Sequence, residues 1–348
     1  MVCRPRLDMS KIKDIIDFFR LPIFRWVQVE ISSHCRSGCL YCPRSIFKES
    51  WSERLMPPAL FRELLPALKK TALVYLQGWG EPFTNPDILE MIRLAHQCGC
   101  RVGTSTNGML LESSMIEALV AEGIEVVAFS LAGLGHGNDT IRQGTSCEKV
   151  MAVIRELNEA KKRAGTDKPA IHIAYMLLDS GMGDLEKIPA AFEGLGISQV
   201  VISTLDYIPD PIWENEAIAP RTESEYNKYK KPLDKLVLEG RTRELDIYYR
   251  LAHPGKRQPV CTERVTESFF VSSDGSVSPC VFTSLPLPGD ALPPPAGAYP
   301  FGRLVFGNIN TESIIKIWKN PDYKKFRQAF RAGRPPSSCL KCRKLYMS

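Results

Sequence analysis

The sequence predicts an α/β fold, a partial (β/α)6 TIM-like barrel followed by a small α+β module. Three observations carry this. Short apolar segments alternate with amphipathic helical ones from residue 26 to 205. The alternation stops at a Pro-rich stretch after Leu205. The cysteines fall into two sets, one in each part of the chain. With 348 residues, 44% of them hydrophobic, the chain can bury one large core or two ordinary ones.

Residues 1–25 hold one short amphipathic helical pattern, over 10–19. "WVQVEIS" from Trp26 alternates like a strand, and a cysteine-rich loop follows it directly. A helical pattern spans 57–70. "LVYLQG" at 73–78 reads as a buried strand, and "NPDILEMIRLAHQCG" as a helix with Asn85 as its cap. The unit then repeats: strands at 100–108, 125–133, 170–178 and 198–205, each of the first three followed by a helix. Parallel strands joined by right-handed crossovers follow, with a site in the loops at their C-terminal ends. Residues 206–260 read as a linker carrying a charged helix, about 222–239, and a strand near "LDIYYRL". Residues 261–348 read as the second module. It holds a hairpin, "ESFFVSSDGSVSPCVF", turning at "DG", then a helix, "TESIIKIWKNPDYKKFRQAFRAG", and finally "CLKC". The Pro-rich segment 285–300 reads as a surface loop or a substrate lid.

The formal net charge of +6 is too small to argue for nucleic acid. Basic residues crowd near the C-terminus: Lys319, Lys324, Lys325, Arg327, Arg331, Arg334, Lys341, Arg343 and Lys344. They suit a solvated helix face or a landing patch for an acidic electron donor. No apolar run approaches the ~20 residues of a membrane span. The N-terminus lacks the apolar core of a signal peptide. A cytoplasmic setting is therefore expected; its 11 cysteines are then not expected to form structural disulfides, and thiols clustered there hold metal or do redox chemistry.

In "ISSHCRSGCLYCPRS", Cys35, Cys39 and Cys42 sit close together, and Gly38 and Pro43 favour a loop. Three convergent thiolates can ligate three irons of a 4Fe–4S cluster and leave the fourth iron open. A zinc site completed by His34, or three unconnected thiols, remain the alternatives.

C-x3-C-x2-C with an aromatic residue before the last Cys, after the first strand of a β/α barrel, resembles the radical SAM superfamily. "GWGEP", Gly78 to Pro82, resembles the glycine-rich turn of that family. The resemblance implies that backbone groups of Gly78 and Gly80, with Glu81 and Pro82, cradle the amino group of S-adenosylmethionine. It also places Ser105 and Asn107 of "STNG", Ser130 of "SLAG" and Arg142 of "DTIRQG" near that ligand. The implied activity is reductive cleavage of S-adenosylmethionine to a 5′-deoxyadenosyl radical that abstracts a substrate hydrogen. A low-potential donor of ferredoxin or flavodoxin type is the implied partner.

Cys261, Cys280, Cys339 and Cys342 form a second set. Iron–sulfur and zinc both suit four thiols. Their layout, G-x4-C on a hairpin and C-x2-C after the last helix, resembles the SPASM and twitch extensions of this superfamily, and implies one auxiliary 4Fe–4S cluster that moves electrons. Cys3, Cys98, Cys100 and Cys147 are left over as core or surface thiols. In sulfatase-maturating relatives an Asp base follows the G-x4-C cysteine; here that position is Val281. No catalytic residue can be named, and Asp179, Asp206 and Tyr207 are only strand-end candidates. The expected substrate is a peptide or protein. A small molecule such as a sugar, cyclitol or cofactor precursor is the alternative, and a non-catalytic metal-binding adaptor is a third.

Overall fold

The computed structural model describes residues 23–208, 210–287, 303–340 and 342–347. The helix expected over 10–19, Cys3, Lys341 and most of the Pro-rich segment lie outside them.

Ten strands form one mixed sheet. In chain order they are β1 (Trp26–Val29), β2 (Leu73–Leu76), β3 (Arg101–Thr106), β4 (Val126–Leu131), β5 (Ala170–Leu177), β6 (Ile197–Thr204), β7 (Asp246–Arg250), β8 (Ser268–Val271), β9 (Ser276–Ser278) and β10 (Gly307–Asn308). Their spatial order is β10-β9-β8-β1-β2-β3-β4-β5-β6-β7. From β8 to β7 every neighbouring pair is parallel; β9 and β10 add antiparallel. The six expected β/α strands are all present. β7, read as part of a linker, extends the parallel run by pairing with β6. The C-terminal hairpin does not stand apart, because β8 pairs with β1, Val27 opposite Phe269. Phe24 cements that junction edge-on against Phe269 at 4.9 Å and Trp318 at 5.0 Å.

The longer helices are α1 (Ile88–Gln97), α2 (Ser113–Glu122), α3 (Cys147–Ala164), α4 (Glu223–Thr242) and α5 (Pro321–Arg331). The backbone N–H of Lys149 donates to the Ser146 hydroxyl, which caps α3 at its start, and left-handed Gly165 ends it. Three expected helices come out shorter. The one over 57–70 breaks into Pro58–Arg62 and Leu65–Leu68, because Pro66 has no N–H to continue the first. The one after β5 becomes a 3-10 stretch, Asp179–Lys187, and a single turn, Ile188–Phe192, that carries Pro189. The last breaks at Asn320, whose carboxamide oxygen accepts the N–H groups of Asp322 and Tyr323 and starts α5 afresh with Pro321. Asn85 is not the cap of α1; Asp87 holds that position. Asn85 is buried instead, donating to the carbonyls of Ile31 (2.7 Å) and Met56 (2.9 Å).

The basic C-terminal residues divide. Lys319, Lys324, Lys325, Arg331 and Arg334 are exposed. Arg327 and Lys344 are not part of a surface patch. Arg327 is buried over the Trp318 ring, 3.7 Å from its centroid, and Lys344 lies in an internal ion-pair cluster. Among the described residues no helix is long and apolar enough to cross a membrane.

Candidate functional site

At the C-terminal ends of the strands lies a cavity of about 340 Å³. Cys35, Cys39 and Cys42 line it, and so do Gly78, Gly80, Glu81, Ser105, Asn107, Ser130 and Arg142. Of the site residues expected from sequence around the first thiol set, only Pro82 is not on its wall. Pro82 instead opens the 3-10 turn Pro82–Thr84 behind Glu81.

The cysteine loop and the GWGEP turn are built against each other. A Cβ on Gly80 would stand 2.4 Å from the Ser32 carbonyl oxygen and 2.6 Å from that of His34, so only glycine permits the approach. The Glu81 N–H donates to the His34 carbonyl at 2.8 Å. The Glu81 side chain, 4% exposed, accepts from the Asn107 N–H and the Thr106 hydroxyl, both at 2.8 Å. Burial raises its pKa, and these donors oppose that shift. Its carboxylate thus ties the second strand's loop to the end of β3. The Asn107 carboxamide donates to Cys35 Sγ at 3.8 Å and Ser37 Oγ at 3.1 Å, which fixes the first thiol.

A two-residue antiparallel ladder pairs Cys39 with Arg142 and Gly38 with Gln143. It carries the "DTIRQG" segment onto the cysteine loop. The Arg142 guanidinium donates to the Tyr41 hydroxyl at 2.6 Å, and its Nε is buried without a hydrogen-bond partner. Burial pushes Tyr41 up to about 12 and Cys42 up to about 11. His34 turns away; its Nδ1 lies 2.7 Å from Glu53 Oε2. It does not complete a four-ligand set with the three thiols.

The second set converges as well. Cys261, Cys280, Cys339 and Cys342 line one small pocket, joined by Glu263 and Lys344. The leftover thiols are elsewhere: Cys100 donates to the Leu68 carbonyl at 2.8 Å, Cys98 is half-buried, and Cys147 is buried at the start of α3.

Several residues that sequence reasoning passed over shape the site. Glu30, fully buried at the end of β1, accepts from the Trp79 N–H at 2.8 Å and from Ser273 N–H and hydroxyl at 3.3 and 3.2 Å. Burial pushes it up to about 7. A carboxylate closing an apolar strand was the available signal. Trp79, Tyr207 and Phe282 form a ring cluster on the cavity wall, with centroids 5.8 to 6.4 Å apart. Asp179 is instead a surface group, accepting from the Tyr229 hydroxyl at 2.7 Å. Lys344 is largely enclosed, its side chain 12% exposed, 3.0 Å from Asp206 and 3.3 Å from Glu263. It lines both the central cavity and the four-thiol pocket.

These donor sets fit iron–sulfur clusters. Among the described residues no three His, Cys, Asp or Glu side chains close on one metal ion. A cubane takes one thiolate on each iron, so three thiols at the first pocket and four at the second are numbers of donors it can use. The orphaned Arg142 Nε suits the carboxylate of a ligand beside the first cluster.

A family model described as the radical SAM superfamily matches residues 29–187, and one for SPASM, an iron–sulfur cluster-binding domain, matches residues 261–343. The chain is 26% identical over 342 residues to the tungsten-containing aldehyde ferredoxin oxidoreductase cofactor-modifying protein of Pyrococcus furiosus, covering 91% of this chain and 87% of that protein. It is 22% identical over 319 residues to the PqqA peptide cyclase of Granulibacter bethesdensis, covering 89% and 78%. Its fold is similar to that of Streptococcus suis SuiB bound to S-adenosylmethionine, with a TM-score of 0.68 at 14% identity, covering 97% of this chain and 76% of that one.

Proposed function

As a member of the radical SAM superfamily whose C-terminal module is a SPASM domain, this chain is, we propose, a maturase that oxidises or cross-links a peptide or protein. One observation carries the reading. The cavity holding Cys35, Cys39 and Cys42 is also walled by Val281, Phe282 and Lys344 of the C-terminal module, so a substrate in it touches both halves of the chain.

With its cofactors bound, the site supplies a 5′-deoxyadenosyl radical, made from S-adenosylmethionine by one electron, for hydrogen abstraction. The chain's own residues do the rest. Cys35, Cys39 and Cys42 hold the first cluster. Gly78 and Gly80 bring backbone close to the ligand, and Glu81 and Asn107 fix the walls on either side. Ser105 and Ser130 offer hydroxyls on the same wall, and Arg142 meets a carboxylate. Trp79, Tyr207 and Phe282 exclude water. Cys261, Cys280, Cys339 and Cys342 would hold one auxiliary cluster, which would supply an electron acceptor and favour oxidation. The exposed Lys319, Lys324, Lys325, Arg331 and Arg334 suit an acidic electron donor of ferredoxin or flavodoxin type.

The peptide reading draws on the similarity to a peptide cyclase over most of the chain. A planar small molecule, such as a cofactor precursor, is the second reading. The aromatic cavity wall favours it, as does the similarity to a cofactor-modifying protein.

The test is anaerobic reconstitution with iron, sulfide and zinc counted in one sample, followed by reduction with S-adenosylmethionine present. About eight irons per chain and release of 5′-deoxyadenosine are expected. Four irons with one zinc would make the C-terminal module a structural clip and remove oxidation from the reading.

A further inference from the structure

Lys344 is the one residue of the described chain that lines both the central cavity and the four-thiol pocket while pairing with a carboxylate from each side. Phe282 lines both cavities too, but carries no charge. Asp206, at the end of β6, is 7% exposed and faces the central cavity. Glu263 faces the thiol pocket. The Arg343 guanidinium donates to the Leu205 carbonyl at 2.9 Å, which clamps this meeting of the two halves.

Two carboxylates share one ammonium, so these three largely enclosed side chains carry one surplus negative charge between them. Other ionisable groups act on it: Arg250 on Lys344, Cys342 on Asp206, and Cys261 and Cys280 on Glu263. Arg250 is exposed, so solvent screens its charge. Asp206 is the carboxylate with spare capacity. Its Oδ2 takes the Lys344 ammonium, and its Oδ1 has one long hydrogen bond, 3.4 Å from the Thr204 hydroxyl. If Asp206 is protonated, Lys344 still has Glu263, and the buried charges balance. An electron entering the thiol pocket adds negative charge beside this cluster and strengthens the pull on a proton.

We propose that Asp206 is the proton acceptor of the central cavity, taking up one proton when one electron enters the four-cysteine pocket. The inference rests on the reading that the C-terminal module holds a redox-active iron–sulfur cluster. A two-electron substrate oxidation then balances. One hydrogen atom leaves the substrate for the 5′-deoxyadenosyl carbon. One electron passes to the C-terminal cluster, and one proton passes from the substrate to Asp206 Oδ1. Asp206 thus takes the place that Val281, after the hairpin cysteine, cannot fill.

The test needs no substrate. The full chain, reconstituted anaerobically, is reduced with dithionite, and the infrared difference spectrum is recorded. A protonated-carboxyl band that rises with reduction is expected. It is lost in Asp206→Asn and kept in Glu263→Gln and Tyr207→Phe, with the iron content of all four proteins equal. A band that survives in Asp206→Asn, or no band in a wild-type chain whose two clusters both reduce, overturns the inference and leaves the maturase reading standing. A chain that binds only four irons overturns both.

Discussion

Replacing Gly80 with alanine is the sharpest test of how the cysteine loop is held. The new Cβ would stand 2.4 Å from the Ser32 carbonyl oxygen and 2.6 Å from both the His34 carbonyl oxygen and the Ser33 carbonyl carbon. All three are backbone atoms, so no side chain can swing aside. Reaching ordinary contact at 3.4 Å requires the two segments to part by about 1 Å. That parting stretches the Glu81 N–H bond to the His34 carbonyl, 2.8 Å long, and strains the 2.6 Å bond between the Ser32 and Thr84 hydroxyls. Overpacking of this kind costs about 1–3 kcal/mol. The larger effect is on geometry, because a displacement of about 1 Å at a reacting centre costs on the order of 100-fold in rate. Gly80→Ala is therefore expected to lower iron retention at the first site and to slow 5′-deoxyadenosine release about 100-fold. Gly183→Ala is the control: nothing lies within 4 Å of its Cβ, and its φ is not positive. Its stability should stay within about 0.5 kcal/mol of the native chain. Full iron content and a native release rate in Gly80→Ala would refute the argument that close backbone contact shapes this loop.

Four further outcomes are expected. Cys339→Ala with Cys342→Ala should leave about four irons and retained S-adenosylmethionine cleavage, while turnover to product is lost; unchanged turnover would remove the electron-transfer role of the second site. Arg142→Met should raise the S-adenosylmethionine dissociation constant about tenfold or more, read by equilibrium dialysis, because a buried charged donor is lost. Lys344→Met leaves the buried Asp206 and the partly buried Glu263 without their cation, and should cost about 3 kcal/mol in urea unfolding. Glu30 binds its proton more tightly when folded, with a pKa of about 7 against 4.5. Its stabilisation is present below pH 4.5 and is lost as pH rises through 7. Relative to Glu30→Gln, the native chain should lose up to about 3 kcal/mol over that window; a flat difference would mean an ordinary carboxyl.

The parts of the site that could be read from sequence are those whose ligands sit close along the chain. Cys35, Cys39 and Cys42 lie in one loop, and GWGEP is one turn, so spacing alone marks them. The helix breaks at Pro66 and at Asn320–Pro321 were local too. They were missed because apolar periodicity runs through them, while the missing proline N–H and the Asn320 cap end the helix. Asn85 looked like a cap for the same kind of reason. It is a buried strut because Ile31 and Met56 present carbonyls to it from distant segments.

The sequence by itself determined the strand–helix alternation, the two thiol sets and the glycine turn, because backbone sterics and ligand spacing act over a few residues. Only the tertiary structure decided that β8 joins the sheet beside β1, and that the pockets of the two thiol sets share Phe282 and Lys344 as walls. It alone separated Lys344 from a run of surface cations and set it between Asp206 and Glu263. Burial and charge pairing are properties of segments far apart in the chain. A basic residue therefore reads the same in sequence whether water or two carboxylates surround it.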